Sequence, residues 1–213
     1  AITVQKELLG DDHPEIAAAM NNLAFLLYDK RDFEVARNMM QESVAMYRRT
    51  VGDEHPAVAR GMTNVAMWMI EAADFESAEP LIKDSVDLRR KLLGNEHTDV
   101  ASSLTVLATL LNNTGRFEEA RIAATEAKAI CLLALAEDHW RSAGAAAAEG
   151  AALAGLKRFD EAEPLLLNSF EVLGADSGAL SFFTNNTARW LAELYQTQGE
   201  TEKAAHYRTL LAM

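Results

Sequence analysis

Four histidines, His13, His55, His97 and His139, stand 42 residues apart along the chain, each beside acidic residues in "GDDHP", "GDEHP", "GNEHT" and "AEDHW". Imidazole is the side chain most often used for metal ligation and proton transfer near neutral pH. With carboxylates beside it, such a set has the donor types of a zinc site. Geometry opposes that reading. Zinc ligands must converge to roughly 2 Å of one ion. Side chains one repeat apart sit on successive rungs of a stack, separated by about 8–10 Å for each helix crossed. The histidines are therefore expected to shape linkers, with no metal and no cofactor.

Nucleophilic and acid–base chemistry find no better footing. The chain has no G-x-S-x-G elbow, no H-E-x-x-H and no Cys–His arrangement with a recognisable surround. Cys131, the single cysteine, falls at an apolar helical position and reads as a small core residue. Acidic residues are abundant, but at spacings that suit a solvated helix face. No catalytic residue is expected.

What the histidines mark is a period. "LLGDDHPEIAAAMNNLA" from Leu8 returns as "VGDEHPAVARGMTNVA" from Val51, then as "LGNEHTDVASSLTVLA" from Leu93, and in worn form from Leu135. Phe33, Phe75, Phe117 and Phe159 keep the same register. So do Ala36, Ala78, Ala120 and Ala162, and Ala204 extends that column to a unit where Ser181 replaces the histidine. Self-similarity at a fixed interval is the signature of a repeat architecture.

Inside each unit the spacing is that of helices. Ile16, Met20, Leu23, Ala24, Leu27 and Tyr28 step by three and four, and after "KRD" so do Phe33, Ala36, Met40, Val44 and Tyr47. This predicts helices over about 14–30, 33–50, 56–72, 75–92, 98–114, 117–134, 139–156, 159–173, 179–198 and 201–211, with a partial helix before Gly10. Gly115 and Gly199 suit left-handed helix ends, Asp32 and Asp74 suit N-caps, and Pro14 and Pro56 suit first helical positions. Arg48, Arg49, Arg89, Arg90 and Lys91 match the negative end of the second helices.

Composition narrows the class. The 213 residues are 49% hydrophobic and 24% charged, enough to bury a substantial core, and the net charge is −12. No basic stripe is visible that could displace counterions from nucleic acid, so no nucleic-acid partner is expected. No apolar run approaches a membrane span and no signal-like segment opens the chain. No membrane partner is expected, and the expected location is cytoplasmic.

The repeat resembles the tetratricopeptide repeat (TPR) family, and more narrowly its kinesin-light-chain-like variety. In the first unit the match runs through Leu9, Gly10, His13, Pro14, Ala17, Asn21, Asn22, Leu23, Ala24, Leu27, Phe33 and Ala36. In the second it runs through Gly52, His55, Pro56, Ala59, Asn64, Ala66, Phe75, Ala78, Glu79, Pro80 and Leu81. The resemblance implies an all-α fold, a right-handed α-α superhelix of five helical hairpins plus the partial N-terminal helix. It implies one array over 1–213, with repeats at about 13–52, 55–94, 97–136, 139–175 and 179–213. Residues 1–9 match the end of a second helix, so the array is expected to have been cut from a longer protein.

The resemblance also implies a function: a non-catalytic scaffold holding a peptide or partner segment in the concave groove lined by first helices. Laid on the family pattern, the groove residues are Asn21, Phe25, Tyr28, Arg60, Thr63, Met67, Thr105, Asn112 and Arg189, with Ala18, Ile70, Gly144, Ala147, Ala151, Asn186 and Glu193 on the same faces. Asparagine can both donate to and accept from a peptide backbone. Asn21 and Asn22 equally suit hydrogen bonds between helices, and the Ala-rich fourth unit equally suits tight packing. Only Arg60 and Arg189 are basic, so a neutral or mildly basic segment with apolar anchors is expected. The other reading is a structural, regulatory or oligomerising segment of a multidomain bacterial signalling protein, such as a serine/threonine kinase, with self-association through exposed terminal helices.

Overall fold

A computed structural model describes residues 2–30, 32–175 and 181–211 of the chain. Its helices are α1 Ile2–Leu9, α2 Pro14–Asp29, α3 Phe33–Val51, α4 Pro56–Glu71, α5 Phe75–Leu93, α6 Thr98–Asn113, α7 Phe117–Ala134, α8 Trp140–Gly155, α9 Phe159–Ala175, α10 Ser181–Gln198 and α11 Thr201–Leu211. Among the described residues there is no strand. The expected start of the tenth full helix, near 179, lies outside the described residues.

The chain divides into two compact units, Ala1–Asn95 and Glu96–Met213. In the first, α2 pairs with α3 and α4 with α5, while α3 also packs on α4 and α1 lies against α2. In the second, the pairs are α6 with α7, α8 with α9 and α10 with α11, and α8 packs additionally against α6, α7 and α10. Each unit is thus a stack of antiparallel hairpins.

The alanine column explains why the helices of a pair can approach closely. Ala36, Ala78, Ala120, Ala162 and Ala204 are all fully buried. The half-buried Phe75, Phe117 and Phe159 open the same second helices. One turn further on, Met40, Ile82, Ala124 and Leu166 are fully buried as well. Cys131 is a free, buried thiol whose pKa is pushed up by that burial, the setting of an inert core cysteine.

The four histidines have a definite task. In each, Nδ1 accepts a hydrogen bond from the backbone N–H two residues on: Glu15 at 3.2 Å, Ala57 at 3.1 Å, Asp99 at 3.1 Å and Arg141 at 3.1 Å. His55, His97 and His139 are N-caps in extended backbone conformation. A helix start leaves N–H groups without partners, and the ring nitrogen satisfies one of them. His97→Ala is accordingly expected to cost about 1 kcal/mol in urea unfolding, and His97→Asn to recover most of it, because a carboxamide oxygen caps as well. Equal stability of all three proteins would show the cap to be idle.

Asp74 also caps, accepting from the Ser77 N–H at 3.3 Å. Asp32 does not, although its backbone angles, φ −83 and ψ 58, nearly match the −86 and 65 of Asp74. The expectation for Asp32 is corrected on that point: backbone shape alone does not commit a carboxylate to the helix end.

The turns within the α4–α5, α6–α7, α8–α9 and α10–α11 hairpins each hold one left-handed residue. Gly115 and Gly199 supply it at φ 75 and 81, but Ala73 and Lys157 occupy the same register at φ 58 and 63. A side chain in that region costs about 1–2 kcal/mol, of which a glycine gives back part through the looser unfolded chain. Ala73→Gly should therefore raise stability by about 0.5–1 kcal/mol, read as a higher urea midpoint at unchanged slope. A drop in midpoint would mean that Ala73 carries no such strain.

Linkers are tied to the hairpin that follows them. Arg49 Nη2 donates to Asp12 Oδ1 at 2.8 Å, and Lys91 pairs with Glu54 at the same sequence interval. The Arg49 hydrogen bond holds the Asp12 carboxyl below its usual pKa. Both pairs are exposed, so they fix linker direction more than they stabilise.

Candidate functional site: the first-helix faces

In the first unit, side chains of α2 and α4 meet at Asn21 with Asn64 and at Phe25 with Trp68. Asn64 Nδ2 donates to Asn21 Oδ1 at 3.1 Å. The half-buried Phe25 ring packs edge-on against Trp68, with centroids 5.5 Å apart and planes at 81°. Such a T-shaped pair is a favoured aromatic arrangement. Phe25 and Met67 are both half-buried and lean on the core of this unit. Arg60 is exposed on the same helix as Met67, whereas Ile70 is buried. The side chain of Tyr28 lies outside the described residues.

Thr63 and Thr105 sit differently from expectation. Both are buried, and their hydroxyls are used inside the protein. Thr63 Oγ1 donates to the Ala59 carbonyl and lies 2.8 Å from Ser85 Oγ. Thr105 Oγ1 donates to the Ala101 carbonyl at 2.9 Å. A carbonyl one turn back is always within a threonine's reach, and in a tightly packed stack that local bond takes the hydroxyl away from any ligand. Ala147 and Ala151 are buried along with most of α8, and Gly155 passes directly beneath the Phe117 ring. The Ala-rich helix is a packing element.

Two open cavities mark the first unit. One of ≈ 400 Å³ lies by Glu34, Arg37, Trp68 and Asp74, and one of ≈ 500 Å³ runs between α3, α4 and α5 beside Met62, Val65, Pro80 and Leu81. Neither is lined by the sequence-predicted residues of this unit except through their neighbour Trp68.

In the second unit, Arg189 is exposed and its Nη1 donates to Asn186 Oδ1 at 3.1 Å. Asn186 is buried and donates to the Phe182 carbonyl at 2.8 Å. Asn112 lines a pocket of ≈ 220 Å³ formed by the C-terminal ends of α8 and α10, together with Phe117, Phe159, Trp190, Glu193 and Lys157. Trp68 and Trp190 are two buried residues of these faces beyond the sequence-predicted set. They stand at different repeat positions, Trp190 at that of Asn64 and Trp68 at that of Leu194, so the 42-residue period alone does not point to them. Among the described residues no group of three or more His, Cys, Asp or Glu could hold a metal ion. No helix among them is long and apolar enough to cross a membrane.

Paired helices, a buried small-residue column at their crossings and histidine-capped linkers define an all-helical repeat protein of the solenoid class. A family model for the tetratricopeptide repeat matches residues 1–49, 15–91 and 58–132. The chain belongs to the tetratricopeptide repeat family. Solved structures share the fold. The nearly identical TPR-like repeats of a Podosopora anserina protein described as a kinesin light chain are 20% identical, with a TM-score of 0.67 over 94% of this chain and 95% of that one. A variant of the same protein matches over 94% of each chain at 20% identity and a TM-score of 0.67. BtubC (BKLC) from P. vanneervenii is 19% identical, with a TM-score of 0.67 over 81% of this chain and 69% of that one. No curated protein matches the chain.

Proposed function

We propose that the chain is a non-catalytic scaffold that binds a peptide or partner segment along the first-helix faces of its array. Tetratricopeptide repeats generally mediate protein–protein interaction. The observation that carries the finer reading is the α2–α4 face. Phe25 and Met67 are only half-buried there, flanked by the Asn21–Asn64 amides and the exposed Arg60. Apolar anchors beside amides suit an extended segment, which supplies side chains to the former and backbone groups to the latter. The net charge of −12 favours a neutral or mildly basic partner.

The test is isothermal titration of a partner-derived peptide against Phe25→Ala, Asn21→Ala and Arg60→Ala at low and moderate salt. Phe25→Ala is expected to weaken binding at least tenfold, Asn21→Ala less, and Arg60→Ala least, acting mainly on association rate. Loss of binding in Arg60→Ala with Phe25→Ala intact would make the face a charge clamp and overturn the anchor reading.

A structural or oligomerising role draws support from α1, where Val4 and Leu8 are 55% and 77% exposed. A sedimentation coefficient that rises with protein concentration would favour it, and one that stays flat would count against it.

A further inference from the structure

The pocket at the C-terminal ends of α8 and α10 holds an unmet hydrogen-bonding need. Asn112 is 7% exposed, and its Nδ2 donates to the Ala148 carbonyl at 2.8 Å. That bond fixes which way round the amide sits, leaving Oδ1 as an acceptor. Asn112 lines the pocket, and its Oδ1 is buried with no hydrogen-bond partner. Buried polar atoms are nearly always satisfied, so this one awaits a donor.

The pocket supplies a second acceptor. Glu193 keeps much of its side chain at the surface, yet its surroundings disfavour the charge and raise its pKa, with Arg189 opposing. The Thr197 hydroxyl is already given to the Glu193 carbonyl at 2.8 Å. Lys157, the one cation lining the cavity, stands on the exposed turn. The rest of the lining is apolar, with Phe159 and Trp190 suited to an aliphatic stem.

We propose that this pocket receives an arginine side chain of the bound partner segment, its guanidinium donating to Asn112 Oδ1 and to the Glu193 carboxylate while its stem lies against Trp190 and Phe159. A guanidinium presents several donors in a fixed plane and is weakly hydrated, so it can serve two acceptors in a partly dry site. An acidic or purely apolar side chain would leave Oδ1 unpaired. The proposal rests on the reading of the chain as a binder of partner segments, and it names one residue that the segment must contain.

Nuclear magnetic resonance titration of the whole chain tests it with three probes: N-acetyl-arginine methylamide, its citrulline counterpart of the same shape without charge, and the norleucine counterpart. The arginine probe should give saturable shifts of the Asn112 side-chain amide and the Trp190 indole. The citrulline probe should bind at least tenfold more weakly, and norleucine should not saturate. Glu193→Gln, at an exposed position and checked by its thermal melt, should bring arginine down to the citrulline level. Citrulline or norleucine binding as well as arginine, no saturable shift with arginine, or an unchanged arginine affinity in Glu193→Gln would each overturn the proposal. Phe25 lies in the other unit, which keeps the two readings separable. If the pocket fails while Phe25→Ala still weakens peptide binding, only the arginine assignment falls. If the pocket binds arginine while Phe25→Ala has no effect, only the anchor reading falls.

Discussion

Ile82→Ala is expected to destabilise the protein by about 2–5 kcal/mol, the range for deleting a branched aliphatic side chain from a closed core. Ile82 is fully buried in the middle of α5, where α4 packs. Removing its outer carbons forfeits their transfer from water and leaves a void that a stack of stiff hairpins closes only partly. Ile82→Val, which removes one methylene, should cost about 0.5–1.5 kcal/mol and serves as the graded control. Urea unfolding followed by circular dichroism reads both. Repeat proteins can unfold in sections, so the loss should fall on the transition of the first unit if two transitions separate. An Ile82→Ala protein within about 0.5 kcal/mol of the parent would show that the site relaxes fully or is not closed.

Ala78→Leu attacks the same helix from the opposite direction and should cost about 1–3 kcal/mol. Ala78 lies one turn before Ile82 and has no exposed surface, on a helix that packs against α4. Leucine has a helix propensity close to that of alanine, so the backbone preference barely changes. The penalty then comes from pushing three carbons into filled space. The same measurement on Ala205→Leu, beside the column but exposed, should show almost no change. Equal stability of Ala78→Leu and the parent would place the alanine column outside the helix crossing.

These two residues show why so much of the fold was legible. A repeat displays each packing position several times, so Ala36, Ala78, Ala120, Ala162 and Ala204 identify a crossing that a single alanine could not. Helix limits followed for the same reason, since the His and Phe columns punctuate the first four units and the linker Gly column the first three. What escaped was whatever depends on where a polar side chain sends its hydrogen bonds. The histidine spacing was plain, but not that Nδ1 would accept the N–H two residues on. Thr63 and Thr105 carried the right type for ligand contact and spent their hydroxyls one turn back. Ala73 and Lys157 take a glycine's conformation with no glycine to announce it. The candidate site was legible in the same uneven way. Asn21 and Phe25 could be placed on one helix face from spacing, but their partners Asn64 and Trp68 come from the next hairpin. The unpaired oxygen of Asn112 depends on Ala148, 36 residues away.

The histidine caps have a consequence for heredity. A recombination event that joins one histidine codon to an equivalent one downstream deletes a whole hairpin and, at the junction, restores a cap with its own N–H partner two residues on. A join that loses the histidine codon leaves the new helix start without that acceptor, at a cost of about 1 kcal/mol, while the alanine column keeps its register because both helices of its hairpin lie downstream. Gene rearrangements that keep the 42-residue phase seen between Asp99 and Arg141 would therefore yield chains shorter or longer by one rung in which every remaining helix start keeps its cap.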